Sequence, residues 1–465
     1  KPRLPSLNDP EVTKQETGYD ISLSWEDIGQ GNTYSIYLKD VATNTVIEET
    51  TSESIITITG LDLGKYEWQL KRINSLGHES DLSNSQEIEV GIFTKYFGGS
   101  GDDNAKQVIK SKSGGYIILG STESKEIDSE VDQDGDDWVI KIDETGEKSW
   151  EYISNAPGGH RFSDYAELID GSVILVGSNL NEGKGIATKL GSDGSLEWEI
   201  AYNPEDIDLN NRFGLVIECH DKVMIVGYQY ENSERKNHIF HTLDKESGVI
   251  LESITIPEIE GYKTLNISEI LVTSEGYLAL TGAANVEGEE YFNAGAYLQL
   301  FDTNINQILT WNNVGSYHQI NVGDVIELSN GKFAIIGQHR AGGYIAISVI
   351  NPDGTFFKNY SDQYLAYGYG EQLITPGSNG GFYGLFSDYS RGYSDNAIAF
   401  MHFDSNQIAT KKAVYRHTEG AARPAGLVQN NDDSYTFVIN ESQSSNDSNT
   451  RDIVLFKRGE SNLEF

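Results

Sequence analysis

The stretch Ala105–Tyr152, AKQVIKSKSGGYIILGSTESKEIDSEVDQDGDDWVIKIDETGEKSWEY, is the cleanest copy of a pattern that the chain carries about seven times. It reads as a short strand, a turn marked by SKSGG, the apolar strand YIILG ending in glycine, and a polar loop. A strand ending in Asp143, a turn and a last strand complete it. The apolar core recurs as VILVG (Val173–Gly177), VMIVG (Val223–Gly227), LALTG (Leu278–Gly282) and FAIIG (Phe333–Gly337). It then weakens to FYGLF (Phe382–Phe386) and YTFVIN (Tyr435–Asn440). Successive copies stand 57, 50, 55, 55, 49 and 54 residues apart.

A period of about 50 residues with four strands per unit is the mark of a β-propeller blade. Units start near Asn104, Arg161, Asn211, Lys263, Tyr317, Tyr367 and Glu419, and are numbered here as repeats in chain order. Phe93–Phe97 reads as a strand ahead of the first complete repeat, while the last repeat stops soon after its third strand, DIVLFKRG (Asp452–Gly459). A circular fold removes such an exposed sheet edge by letting the early strand complete the final blade. The expectation is an all-β chain whose residues 92–465 form a seven-bladed β-propeller closed in that way. Trp150, Trp198 and Trp311 share one point of the fourth strand in three repeats, which makes them packing residues.

Residues 1–91 do not follow the repeat. Short alternating runs, ISLSW (Ile21–Trp25), TYSIYL (Thr33–Leu38), TVIEE (Thr45–Glu49), IITIT (Ile55–Thr59), YEWQLKRI (Tyr66–Ile73) and QEIEV (Gln86–Val90), point to a β-sandwich. The run ITGLDLGKYEWQLKRINSLGHES resembles the fibronectin type III pattern. Leu61, Gly64, Tyr66, Trp68, Leu70, Asn74, Gly77 and Ser80 fall on that family's spacing, and Trp25 sits where the family keeps an early-strand core tryptophan. The resemblance implies a spacer or adhesion module.

The balance of 34 basic against 71 acidic residues leaves a net charge of −37, which repels phosphate backbones and anionic bilayers and argues against nucleic acid as a partner. Cys219 is the single cysteine, so no intrachain disulfide or thiolate cluster can form, and its place in GLVIECH suits a buried structural thiol. No apolar stretch approaches the roughly 18 residues that span a membrane, and none reads as a signal peptide. The opening KPRLPSLNDP is expected to be a mature or truncated start, from which an export signal or a lipid-bearing cysteine has been removed.

The motif FGGSGDD…SGGYIILG…DGDDWVIKID…G…W resembles the propeller repeats of secreted and lipid-anchored surface proteins of Bacteroidetes-type bacteria, with repeat 1 carrying the match best. That resemblance implies an extracellular or outer-membrane surface location in carbohydrate- or protein-binding assemblies. It implies no single activity.

In a four-stranded blade, the second-to-third loops and the blade-to-blade connections share one face. Here the other connections are tight turns such as SKSGG, DETG, GSDG and NPDG. The second-to-third loops are longer: about 17 residues in repeat 1 (Ser121–Asp137), 13 in repeat 4 and 11 in repeats 6 and 7. Long loops on a rigid scaffold accumulate binding residues, so the working face is expected on that side.

Two constellations belong to it. Asp102 and Asp103 of GGSGDD join Asp132, Asp134 and Asp136 of DQDGDDW, an alternation of carboxylates around glycine that can wrap a hard cation such as Ca²⁺. Capping of a turn is the competing reading, and no glutamate closes an EF-hand. The second is aromatic: Tyr360, Tyr364, Tyr367 and Tyr369 at the opening of repeat 6, with Tyr389, Arg391 and Tyr393 in its long loop FSDYSRGYSDN. Tyrosine offers a rigid apolar body with a hydroxyl, suited to a sugar ring or a protein partner; packing of blade edges is the alternative.

Catalytic signals are weak. His238 and His241 in HIFH fall on opposite sides of a strand. His160 with Arg161 and Arg416 with His417 occupy blade-opening loops, and paired carboxylates for glycosidic chemistry need a separation that sequence does not supply. There is no nucleophile elbow, no HExxH and no phosphate loop. The resulting expectation is a non-enzymatic binding or scaffold component of an outer-membrane nutrient uptake or secretion assembly, holding a glycan or a partner protein. The alternative is a polysaccharide-degrading propeller enzyme, a lyase or glycoside hydrolase, using His or carboxylate residues near the central channel.

Overall fold

The computed structural model describes residues 1–15, 18–124, 135–154, 160–179, 183–202, 209–220, 222–231, 234–286, 295–312, 321–338, 344–366, 373–377, 380–388, 397–416, 422–432, 434–444 and 447–459. Among the described residues the regular structure is strand and turn, without an α-helix. The fold is all-β and propeller-like, a succession of antiparallel sheets mostly of four strands. No helix is long and apolar enough to cross a membrane.

Two compact units are present: Lys1–Lys95 with Asn430–Thr436 and Leu455–Glu464, and Tyr96–Gln429 with Phe437–Val454. The first contains a three-stranded sheet (Glu11–Lys14, Tyr19–Ser24, Ile55–Leu61) and a four-stranded one in the order Val46–Thr51, Thr33–Asp40, Gly64–Ile73, Gln86–Val90. Tyr19–Ser24 buries every second residue, as a strand with one solvated face must. Its inward residues Tyr19, Ile21 and Leu23 share one core with Tyr34, Ile36, Trp68 and Leu70 of the other sheet. Trp25 lies 5.1 Å from the Tyr34 ring and 6.4 Å from Trp68, and the Tyr66 hydroxyl donates to the Asp62 carbonyl at 3.0 Å. In the same unit Asp432 Oδ2 accepts from the Tyr19 hydroxyl at 3.0 Å and from Lys457 Nζ at 2.8 Å.

In the second unit, each of the first four repeats makes its own sheet. The strand sets are Asn104–Lys110, Tyr116–Thr122, Asp136–Ile142 and Lys148–Ile153; His160–Glu167, Val173–Asn179, Lys184–Leu190 and Leu196–Tyr202; Leu209–Cys219, Lys222–Glu231, Glu234–Leu243 and Ile250–Thr255; Tyr262–Val272, Leu278–Val286, Gly295–Phe301 and Gln307–Asn312. Second and third strands are covered on both faces by neighbouring sheets, which is why YIILG and VILVG read as unbroken apolar runs. The cores accordingly lie between successive repeats: Leu119 and Val139 pack with Tyr165 and Leu175, and Ile174 and Val176 pack with Phe213 and Val216.

The glycine that ends each apolar strand faces a bulge in the first strand of its repeat. The register slips at Phe162/Asp164 opposite Gly177 and at Ile267/Glu269 opposite Gly282. A Cβ on Gly177 would stand 2.0 Å from the Arg161 carbonyl oxygen, and one on Gly282 would stand 2.0 Å from that of Asn266. The aspartate that ends the third strand closes the following turn. Asp143 Oδ1 accepts from the Thr145 and Glu147 amides at 2.8 and 2.9 Å, and Asp302 and Asp404 repeat this bonding.

Repeats 5 and 6 depart from the rule by merging into one sheet of eight strands. The fourth strand of repeat 5, Phe356–Ala366, continues until Leu365 and Ala366 pair with Asp388 and Ser387 of Phe382–Asp388. Among the described residues the first strand of repeat 6 is Ile374–Pro376. The last sheet runs Ala422–Gln429, Ser434–Ser444, Asp447–Gly459, Phe93–Phe97, so the early strand is its outer member. Here the long second-to-third loop expected for repeat 7 is instead a long hairpin, because residues 434–444 and 447–459 are both strand. Ala422–Gln429 neighbours Asn104–Lys110, bringing last repeat against first.

Candidate functional site

The acidic loop at the start of repeat 1 is held by internal bonds. Asp103 is fully buried, and its Oδ2 accepts from the Gly99 amide at 2.8 Å and the Ser124 hydroxyl at 2.7 Å. Its own amide donates to the Arg451 carbonyl at 2.9 Å. Arg451 Nη1 reaches Asp102 Oδ2 at 3.3 Å. These bonds cross the junction of first and last repeats. Asp136 opens a third strand opposite Thr122, and Asp132 and Asp134 lie outside the described residues. Among the described residues no group of three or more His, Cys, Asp or Glu is placed to hold a metal ion.

Of the aromatic constellation, Tyr360 is a packing residue: its ring meets Phe403 edge-on at 5.1 Å, and its hydroxyl donates to Asp362 at 3.1 Å. Burial and that carboxylate push its phenol well above the ordinary range. Tyr364 lies within Phe356–Ala366. Tyr367, Tyr369, Tyr389, Arg391 and Tyr393 lie outside the described residues. The Leu365–Asp388 pairing nevertheless joins the chain positions next to Tyr364 and Tyr389.

The histidines weighed for catalysis are engaged in the core. His241 Nδ1 lies 2.8 Å from Ser253 Oγ and its ring 5.5 Å from Phe213; burial pulls it down to about 4, so it is neutral at physiological pH. His238 is buried with its ring 5.2 Å from Tyr228. His160 Nδ1 is 3.5 Å from Glu199 Oε2, and this neighbour lowers the glutamate. His417 lies outside the described residues.

Two matched motifs escaped the sequence reading. In SDYAEL (Ser163–Leu168) and GDVIEL (Gly323–Leu328) the Asp sits at the bulge of a first strand and the Glu three positions on. Asp164 reaches forward, accepting from the Val216 amide at 2.7 Å and from Gln107 Nε2 at 2.9 Å. Glu167 reaches back to the Ser111 hydroxyl at 2.6 Å and to the Lys112 amide. Asp324 accepts from the Ile374 amide at 3.1 Å, and Glu327 from the Ser274 hydroxyl at 2.8 Å. Their common D-x-x-E spacing was the available signal.

Cavities among the repeats offer further candidates. One, of about 340 Å³, is lined by first strands of several repeats, with Ile217, Ile270, Val325 and Leu427 as walls and the carboxylates of Glu269 and Asp324 among them. Burial holds Asp324 up at about 7, against the opposing bonds of the Ile374, Val325 and Leu373 amides. Another, of about 470 Å³, lies at the tight turns of repeats 1 and 2, between Ser113, Lys141, Asp143, Thr145, Trp150 and Ser192. Its floor is a buried ion pair, Lys141 Nζ to Glu167 Oε1 at 3.2 Å, extended to Ser113 Oγ at 2.9 Å and to Ser111. Burial lowers the Lys141 ammonium, partly offset by Glu167.

The chain matches no protein-family model and no curated protein. Among solved structures it is similar to an ulvan lyase of polysaccharide lyase family PL25, at a TM-score of 0.52 and 10% identity over 79% of this chain and 96% of that one. An ulvan lyase of the same family bound to the -[GlcA(1-4)Rha3S]- repeat gives 0.51 at 10%, over 78% and 95%. The periplasmic gluconolactonase of Pseudomonas aeruginosa gives 0.45 at 10%, over 83% and 96%. At such identities the likeness is one of fold.

Proposed function

We propose that the chain is a non-enzymatic binding protein of the cell surface or exterior, a fibronectin type III-like sandwich followed by a seven-bladed propeller. Leaving aside the four-stranded sheet of residues 33–90 and counting the eight-stranded sheet as two repeats gives seven four-strand sets. The Tyr66–Asp62 bond, a tyrosine hydroxyl returned to a carbonyl four residues upstream, supports the sandwich assignment. The working surface is the one that carries the second-to-third loops, and its ligand is a glycan or a protein of a surface assembly.

The observation that carries this reading is the Leu365–Asp388 pairing. The last strand of repeat 5 runs on there to pair with repeat 6, joining the chain position after Tyr364 to the one before Tyr389. A break in an otherwise regular scaffold, at its densest aromatic cluster, is what a binding surface requires. The test is retention of the chain on immobilised polysaccharides and on outer-membrane proteins of the producing cell. Replacing Tyr364, Tyr367 and Tyr389 together with alanine abolishes retention while the thermal midpoint holds; retention unchanged in that variant removes the proposal.

A second reading, a polysaccharide-degrading enzyme, is favoured by one observation: Asp324, held near 7, lines the same cavity as Glu269, and a carboxyl held up in this way serves as a general acid. Against it, Asp324 makes the same forward bond to a neighbouring amide as Asp164. New reducing ends or unsaturated products on incubation with polysaccharides would decide for the enzyme.

A further inference from the structure

The cavity at the tight turns of repeats 1 and 2 belongs to neither reading above, and its walls are chemically specific. One side is the Trp150 indole. Its ring lies against the backbone of the next repeat, where a Cβ on Gly194 would stand 2.7 Å from it, and its Nε1 donates to the Ser192 carbonyl at 3.0 Å. The indole is thereby fixed in place as one half-exposed wall. Asp143, Ser113 and Lys141 line the same cavity. Asp143 is kept ionised: burial raises its carboxyl, but the bonds from Thr145, Glu147 and Gly146 outweigh this and lower it. The Ser113 hydroxyl is exposed and tied to the buried Lys141 ammonium at 2.9 Å.

The lining narrows what fits. Lys141 is paired with Glu167 and its other N–H groups are bonded to Ser111 and Ser113, so the floor carries no net positive charge. An anion would face Asp143 and Glu144, and an apolar molecule would strip water from the side chains of Ser113, Thr145 and Ser149. A volume of about 470 Å³ is within the usual range of about 300–1,000 Å³ for small-ligand sites.

We propose that this cavity is a saccharide subsite for a neutral pyranose, with the carbon–hydrogen face of the ring against Trp150 and its hydroxyls between Asp143 and the Ser113–Lys141 pair. The site lies at connections whose shortness marked them as scaffold, and it is independent of the tyrosine cluster.

Saturation-transfer NMR on the full chain, with the methyl β-glycosides of glucose, galactose, mannose and xylose as probes, tests it. Transfer to the ring protons of at least one glycoside is expected. Trp150→Ala should weaken it about tenfold, the loss of one aromatic contact, and Trp150→Phe should weaken it less. Ser149→Tyr fills the cavity from an exposed position without touching the core and should abolish the signal, which covers the case in which Trp150→Ala does not fold. The Tyr364/Tyr367/Tyr389 alanine variant should leave it intact, separating this site from the one proposed above. No transfer with any of the four probes, or transfer unchanged in Ser149→Tyr, overturns the assignment.

Discussion

The carboxylate of Asp164 accepts a hydrogen bond from the Val216 amide at 2.7 Å, crossing from the first strand of repeat 2 to that of repeat 3. Asp324 makes the equivalent bond to Ile374 between repeats 5 and 6. Apolar side chains also pack neighbouring repeats together, but they hold two faces without setting their relative height. A directed bond at the bulge supplies that setting.

Asp164→Ala strands the Val216 amide and Gln107 Nε2 in a buried place. Each unsatisfied donor costs about 1–3 kcal/mol, so urea unfolding should show a loss of about 2–5 kcal/mol. Asp164→Asn keeps one acceptor and should lose less. An unchanged urea midpoint in Asp164→Ala would mean that the bond contributes nothing.

Two sets of carboxylates predict opposite pH limbs. Burial holds Asp164 up at about 6 and Asp324 at about 7. Between the ordinary aspartate value of 3.8 and those values the folded state carries more protons than the unfolded one, so stability falls as pH rises through this window. Asp432 goes the other way: burial raises it, but bonds from Lys457, Ser434 and Tyr19 hold it down at about 2. Its contribution is present above 3.8 and is lost as pH falls toward about 2. Urea midpoints should therefore peak on the acid side of neutrality. Asp324→Asn should flatten the limb above pH 4, and Asp432→Asn the limb below it.

Gly177→Ala puts a methyl 2.0 Å from the Arg161 carbonyl oxygen, where no side-chain rotation can relieve it. The first strand must move off its bulge, at a cost of about 3 kcal/mol or more. Gly261→Ala is the contrast, since nothing lies within 4 Å there and only its positive φ of 79° opposes the change. Thermal melts of the two variants should differ by several degrees.

Tyr19→Phe deletes a single hydroxyl that donates to Asp432 at 3.0 Å, leaving Lys457 as the remaining charged partner. A loss of about 1 kcal/mol is expected. A larger loss, matched by Asp432→Ala, would show that the three groups act as one network.

Much of this architecture is legible along the chain because its causes are local. Unbroken apolar runs mark strands covered on both faces, Asp143, Asp302 and Asp404 mark turns that their own carboxylates close, and Gly177 and Gly282 recur at the same point of each copy. The candidate site was less legible. Asp103, singled out for a cation, caps Gly99 and Ser124, and Tyr360, singled out for binding, packs on Phe403. Trp150 was placed as a packing residue, and it also walls a cavity.

Turn chemistry and the all-β class follow from the sequence by itself, since each depends on residues within a few positions of one another. Which carboxylates join repeats, where repeats 5 and 6 merge, and which polar groups share a cavity with Trp150 were decided by tertiary structure. Gln107 meets Asp164 across 57 residues and Asp324 meets the Ile374 amide across 50. Such pairings depend on the height at which one sheet settles against the next, which no local pattern carries.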